Sequence, residues 1–222
     1  SIESYYQETG RAGRDGGEGY CLAFYCCEDI EKLEKFLYGK PISDQEQGLS
    51  LLEDVASYCE TSMSRRKFIL NYFGEKYDEK NGLGNEMDDN FNNTLKKIDV
   101  KNEVKLALNS IVSINQKYKL KDVVSFIYGF ESSILKAHNL SSKSFFGMGK
   151  KNDLRFWKSL LRKMIVDDFL YKKIEEYGVL KLTKLGNEFL VKPKSFHLRL
   201  DRDFSNESLH NGNIDKTKSV ID

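Results

Sequence analysis

Two arginines, Arg11 and Arg14, stand three positions apart in the phrase Gln7-Glu8-Thr9-Gly10-Arg11-Ala12-Gly13-Arg14-Asp15-Gly16. A guanidinium stays charged and offers five donors in a rigid fork that matches phosphate oxygens. At a domain boundary such a group stabilises the charge that develops on a transferring phosphoryl group. The flanking glycines allow the backbone to approach closely. On chemistry alone, that role and a solvated polar turn are evenly matched. A second charged locus spans 141–163, where seven cations (Lys143, Lys150, Lys151, Arg155, Lys158, Arg162, Lys163) face one acid, Asp153. Several of them can meet phosphate together, helped by the Ser141, Ser142 and Ser144 hydroxyls and by backbone amides near Asn152 and Asp153. The chain as a whole carries a formal net charge of +1. The local field is therefore a better guide to partners than the total. A third locus is Lys172, Lys173 and Lys181 around Glu175-Glu176-Tyr177-Gly178, where the two acids oppose phosphate.

The elements that would position these groups follow from periodicity. Tyr20-Cys21-Leu22-Ala23-Phe24-Tyr25 reads as a buried strand between glycines and acids. A polar helix is expected over 29–36, ended by Gly39-Lys40-Pro41. Leu49, Leu52, Val55, Ala56 and Cys59 give one apolar stripe, and Ser64 can cap a following helix containing Phe68, Ile69 and Tyr72. Residues 76–93 are polar and loop-like. Beyond them, Val104, Ala107, Leu108, Ile111 and Val112 predict a helix; Leu120, Val123, Val124 and Ile127 predict another. Leu154, Trp157, Leu160, Leu161, Met164 and Ile165 predict a third, with Trp157 in the core. Residues 169–174 and 179–183 form a hairpin signal in which Gly178 can take positive φ. Helices, a basic helix and a hairpin in that order suggest a winged helix. No apolar run approaches a membrane span, and no signal-peptide pattern is visible. The four cysteines, Cys21, Cys26, Cys27 and Cys59, are expected to be reduced and mostly buried. His138, His197 and His210 are too dispersed to suggest a metal or nucleophilic site.

Three phrases in order carry a resemblance. The arginine phrase is similar to the last helicase motif of superfamily 2 in its RecQ form. Tyr58-Cys59-Glu60, Ser64-Arg65-Arg66 and Asn71-Tyr72-Phe73-Gly74-Glu75 resemble the helical hairpin of the RecQ zinc-binding subdomain. Trp157-Lys158-Ser159-Leu160-Leu161-Arg162 and Val179-Leu180-Lys181-Leu182-Thr183 resemble the family's winged helix. The Tyr-Cys-Glu phrase leans toward the eukaryotic Bloom-type branch. The resemblance implies a fold that is mainly α with small β: the end of helicase lobe 2 (1–40), a helical hairpin with a degenerate zinc-binding-like subdomain (41–93), a winged-helix RQC-like domain (94–200) and a flexible tail (201–222). It also implies that Arg11 and Arg14 face ATP bound by the first motor lobe, with Arg14 as the arginine finger. Gln7 would couple nucleotide state to lobe geometry, and Asp15 would orient an arginine. In such relatives the hairpin can separate strands; Tyr177 would either pack the turn or, in that role, stack on an exposed base pair, and Glu175 and Glu176 weigh against the second.

The family pattern places a cysteine before the Arg-Arg pair and three more in the following loop. This sequence has Ser64 at the first position and neither Cys nor His in 76–93. Structural zinc is therefore expected to be absent; Glu86, Asp88 and Asp89 offer at most a weak site for a hard cation. No phosphate loop of the form Gly-x-x-x-x-Gly-Lys-Ser/Thr occurs, so the chain alone is expected to bind no nucleotide; ATP and Mg²⁺ belong to the complete parent. The reading is a DNA-binding accessory part of a 3′-to-5′ DNA helicase of repair or recombination. It would engage a duplex with a single-stranded extension or a junction, and the Bloom-type branch would place it in the nucleus. Its DNA-contacting residues would be Ser142, Lys143, Lys150, Lys151, Arg155, Lys158, Arg162, Lys172, Lys173 and Tyr177. The alternatives are a winged-helix protein-interaction module and part of a catalytically degenerate paralogue.

Overall fold

The computed structural model describes residues 1–91 and 96–204. In the N-terminal part, Ser1 caps α1 (Ile2–Thr9), its hydroxyl accepting from the Ser4 amide. α2 (Cys27–Lys35) carries Glu28 and Asp29 in its first turn and Lys32 and Lys35 in its last, the polarity that the helix dipole favours. α3 (Ile42–Glu60) begins directly after Pro41. α4 (Arg65–Tyr72) is capped by Ser64, whose hydroxyl accepts from the Lys67 amide. Ile2, Tyr58, Met63 and Phe68 join α1, α3 and α4 in a small core, with Val166 inserted from the following domain.

That domain runs through β1 (Ile98–Asp99), α5 (Lys101–Ser113), α6 (Leu120–Tyr128), α7 (Ser133–Ala137), α8 (Leu154–Val166), β2 (Leu170–Lys173), β3 (Val179–Leu182), α9 (Lys184–Val191) and β4 (His197–Leu198). Its core is built from the periodic positions: Val104, Leu108 and Ile111 of α5; Val123, Val124 and Ile127 of α6; Trp157, Leu160, Leu161 and Met164 of α8; Leu170 and Leu180 of the hairpin. Trp157 is fully buried, and its indole N–H donates to the Gly149 carbonyl at 2.9 Å. That bond removes the one polar penalty of burying it. β2 and β3 pair antiparallel from Leu170↔Leu182 to Lys173↔Val179. A bridge between Lys119 and Val179 adds a third strand-like segment. β1 and β4 pair antiparallel and bring the two ends of the domain together. Helices followed by this hairpin give the mainly helical winged-helix arrangement. Among the described residues, no helix is long and apolar enough to cross a membrane.

Several expectations need correction. The segment 20–25 forms no strand; Tyr20 is 93%, Leu22 80% and Phe24 94% exposed. A strand needs a neighbour for its amides and carbonyls, and the described residues offer none there. Tyr25 alone of the apolar residues there turns inward, donating its hydroxyl to Glu60 at 2.9 Å. The cysteines are free, but Cys21 is exposed and the other three are half-buried. Val112 and Leu154 lie at the edges of their helical stripes and are exposed. A flexible tail was expected from 201, yet Asp201 is buried, Arg202 bonds to Asp89 and Asn90, and Phe204 packs edge-on against Tyr25. The rest of that expected tail, with His210, lies outside the described residues.

Candidate nucleic-acid interface

The basic locus folds around a close crossing of two loops. Gly129 ends α6 with φ +84°, a left-handed conformation that a side chain would strain. The Gly147 amide donates to the Phe126 carbonyl at 3.0 Å and the Gly149 amide to Ile127 at 2.8 Å. A Cβ on Gly129 would lie 2.7 Å from Gly147 Cα and 2.8 Å from Lys150 Cε. The Lys150 stem thus lies across the crossing while its head group reaches solvent. Lys143 and Lys151 are exposed on the same loop, and Lys158 is half-exposed in α8. Among the described residues, Lys143, Lys150, Lys151 and Lys158 take part in no ion pair, so their charge remains available to a phosphate backbone.

The other three cations of the locus are committed. Arg155 pairs with Asp203 at 2.7 Å, and Lys163 pairs with Asp167 at 2.7 Å. Arg162 was expected to contact DNA, but its side chain is 5% exposed and meets Glu60 at 2.7 Å, Glu53 at 3.0 Å and Asp201 at 3.1 Å. Burial works against its charge, but the three carboxylates outweigh it and hold its pKa above the ordinary arginine value. It fastens α8 to α3 and to the segment after β4. A long-range acidic triad leaves no local trace in sequence, so spacing along α8 could not reveal it. The Asn152 amide is bonded to Gly149, and Asp153 caps α8 by accepting from Phe156 at 2.7 Å. The Ser142 hydroxyl donates to the Asn139 carbonyl at 2.9 Å.

The wing is less basic than its sequence. Lys172 pairs with Asp54 of α3, while Lys173 and Lys181 converge on Glu176 at 2.6 and 2.8 Å. The hydrogen bond from Lys173, with Lys181 beside it, pulls the Glu176 pKa down to about 2. The turn takes positive φ at both Tyr177 and Gly178. Its tip exposes Ile174 at 82% and Tyr177 at 72%. The tip therefore carries an aliphatic and an aromatic side chain beside the exposed carboxylate of Glu175, while Glu176 and its two lysines neutralise one another behind it. In the N-terminal phrase, Gln7, Arg11 and Arg14 are exposed, and Arg14 Nε reaches the Gly10 carbonyl at 3.4 Å. Asp15 accepts from the Gly17 amide at 3.1 Å in a local turn and orients no arginine here.

Comparison with known proteins adds two family matches: the RQC domain over residues 94–207 and the RecQ zinc-binding region over 27–86. The chain is 31% identical to R290 of Acanthamoeba polyphaga mimivirus, named as an ATP-dependent RNA helicase, over 84% of this chain and 36% of that protein. It is 30% identical to the ATP-dependent DNA helicase RecQ of Pasteurella multocida over 91% of this chain and 32% of that protein. To the ATP-dependent helicase SGS1 of Saccharomyces cerevisiae it is 28% identical over 86% of this chain and 13% of that protein. The chain thus spans about a third or less of these relatives.

The zinc implied by the second match does not fit the residues present. Residues 60–93 contain neither Cys nor His, the ligands that a structural zinc site requires. Burial raises the Cys59 thiol pKa, which disfavours the thiolate. Asp88 and Asp89, the best hard-cation candidates, are bonded instead to Ser64, Arg65 and Arg202. The helical hairpin, the winged helix and both family matches, in the same order along the sequence, show that the chain belongs to the RecQ helicase family.

Proposed function

We propose that this chain is a DNA-binding part of an ATP-dependent DNA helicase, which engages duplex ends or junctions during 3′-to-5′ unwinding. The observation that carries this reading is the quartet Lys143, Lys150, Lys151 and Lys158, unpaired among the described residues on the loop and helix of the winged-helix domain. Such contacts fix the protein on a phosphate backbone without reading sequence. The exposed aromatic tip at Tyr177 supports a stacking contact with a terminal base pair. In the complete enzyme, Arg11 and Arg14, with Gln7, would face ATP and Mg²⁺ held by the first motor lobe. Nuclear residence would follow from the Bloom-type branch and the eukaryotic relatives, while the bacterial and viral relatives leave the compartment open.

Binding of this chain to a 3′-tailed duplex and to a blunt duplex, each with and without ATP, tests the reading. The expected outcome is nucleotide-independent binding, tighter on the tailed duplex. Binding to neither DNA at low salt contradicts it. A protein-interaction role is favoured by one feature, the exposure of Phe130 (60%) and Met148 (62%) one residue beyond the Gly129–Gly147 crossing. Loss of a protein partner on changing these two residues, with DNA binding intact, would establish that role.

A further inference from the structure

The loop of the zinc-binding-type region contains neither Cys nor His, yet it is tightly fastened. Asn90 is 3% exposed and every polar group of its side chain is engaged. Its Nδ2 donates to the Thr61 carbonyl at 2.9 Å and the Met63 carbonyl at 2.7 Å, and its Oδ1 accepts from Arg202 at 2.8 Å. The two carbonyls require the NH₂ group on that side, so the amide orientation is fixed by its partners. Asp88 Oδ2 accepts from the Ser64 hydroxyl and the Arg65 amide, both at 3.0 Å, and Asp88 Oδ1 accepts from the Asn90 amide at 2.9 Å. Asp89 holds the Arg65 guanidinium through two bonds and takes a third from Arg202 at 2.8 Å. Arg65 also donates to the Tyr58 carbonyl at 2.7 Å.

We propose that Asp88, Asp89 and Asn90 form a metal-free clasp that fastens the loop to the α3–α4 turn, in place of a zinc ion. Ser64 stands where the family pattern has its first cysteine, and its hydroxyl now serves the clasp as a donor. The clasp reaches further than the loop. Arg202, which follows β4, bonds to both Asp89 and Asn90, and its amide donates to the Glu60 carbonyl at 2.7 Å. The helical hairpin, the loop and the end of the winged-helix domain are therefore closed by one hydrogen-bonded unit. Its centre is the costly part to break: Asn90 is buried, and losing its amide group would leave the Thr61 and Met63 carbonyls without that donor, whereas Asp89 at the rim is 48% exposed and can turn to water.

The test uses the whole chain and no DNA, so its result is independent of the DNA-binding proposal. Elemental analysis of protein produced with zinc in the medium, melting with and without a strong chelator, and amide hydrogen exchange are measured together. The expected result is no stoichiometric zinc and a melting temperature unchanged by the chelator. Asn90→Asp keeps the size but turns a carboxylate oxygen toward two carbonyls. It should lower the melting temperature and speed exchange of the Arg65 amide by about tenfold or more. If that variant does not fold, Asp88→Asn supplies the exchange reading, since it weakens the acceptor of the Arg65 amide without removing bulk. One zinc per chain whose removal lowers the melting temperature overturns the proposal. So does unchanged Arg65 exchange in whichever variant folds.

Discussion

Among single residues, the distinction that matters is between a free cation and a paired one. Composition marks seven cations between 141 and 163, but the fold assigns three of them to carboxylates distant in sequence or one helical turn away. Arg162→Ala should be a stability variant rather than a DNA-contact variant. It leaves Asp201 and Glu60 facing each other in a buried site, and removing one partner of such a set costs about 3–5 kcal/mol. Denaturant unfolding checks this. A midpoint shift well under that cost would mean the triad relaxes into water. Trp157 shows the opposite case, where the sequence was sufficient. Its place in an apolar helical stripe identified it as core, and Trp157→Ala should cost about 3–5 kcal/mol. The Asp88–Asn90 contacts were not legible, because a polar run reads as loop whether it is solvated or bonded.

At the scale of elements, the hairpin was legible because Gly178 and the flanking apolar runs define both turn and strands. Its electrostatics were not, since Asp54 reaches it from a helix more than a hundred residues earlier. The wing should therefore contribute through its tip. Tyr177→Ala is expected to weaken binding to a duplex end by about 1–3 kcal/mol, the range of a lost base stack, and to leave affinity for long duplex nearly unchanged. Equal loss on both DNAs would remove the end-stacking role. The strand expected over 20–25 failed for a different reason, since apolar alternation gives the propensity for a strand but cannot supply its neighbour. Docking of α4 against α8 predicts an acid response. Burial pushes the Asp167 pKa up, but Lys163 and Lys67 more than offset this and hold it below the ordinary value of 3.8. A lowered carboxylate pKa stabilises the fold fully above the unfolded value, and that contribution is lost as pH falls through the folded value. Stability should therefore decline below about pH 4, and Asp167→Asn should flatten that decline. An unchanged pH slope in the variant would show that this bridge contributes nothing.

On the scale of the whole molecule, the helical hairpin and the winged helix share Val166, the Arg162 triad and the Arg202 contacts. They should move as one body, so that DNA bound at the proposed lysine face would be carried with the α3–α4 region. The arginine phrase follows α1 and is exposed. In a full-length protein with the proposed helicase activity, Arg14→Ala should lower DNA-stimulated ATP turnover by about a thousandfold or more, with DNA affinity retained; near-normal turnover would remove the proposed finger role. The order of modules was readable because three phrases recur in family order, while the DNA face needed the fold to separate free charge from paired. The proposed function rests on that lysine face. Fluorescence anisotropy of this chain with a 3′-tailed duplex across a salt series tests it most directly, alongside a variant with Lys143, Lys150, Lys151 and Lys158 all changed to Ala. Circular dichroism confirms that the variant is folded. Four lost phosphate contacts should make the log–log salt slope shallower by about 3–4 and weaken binding on unrelated sequences alike. A folded variant with the affinity and salt slope of the parent chain would contradict the account.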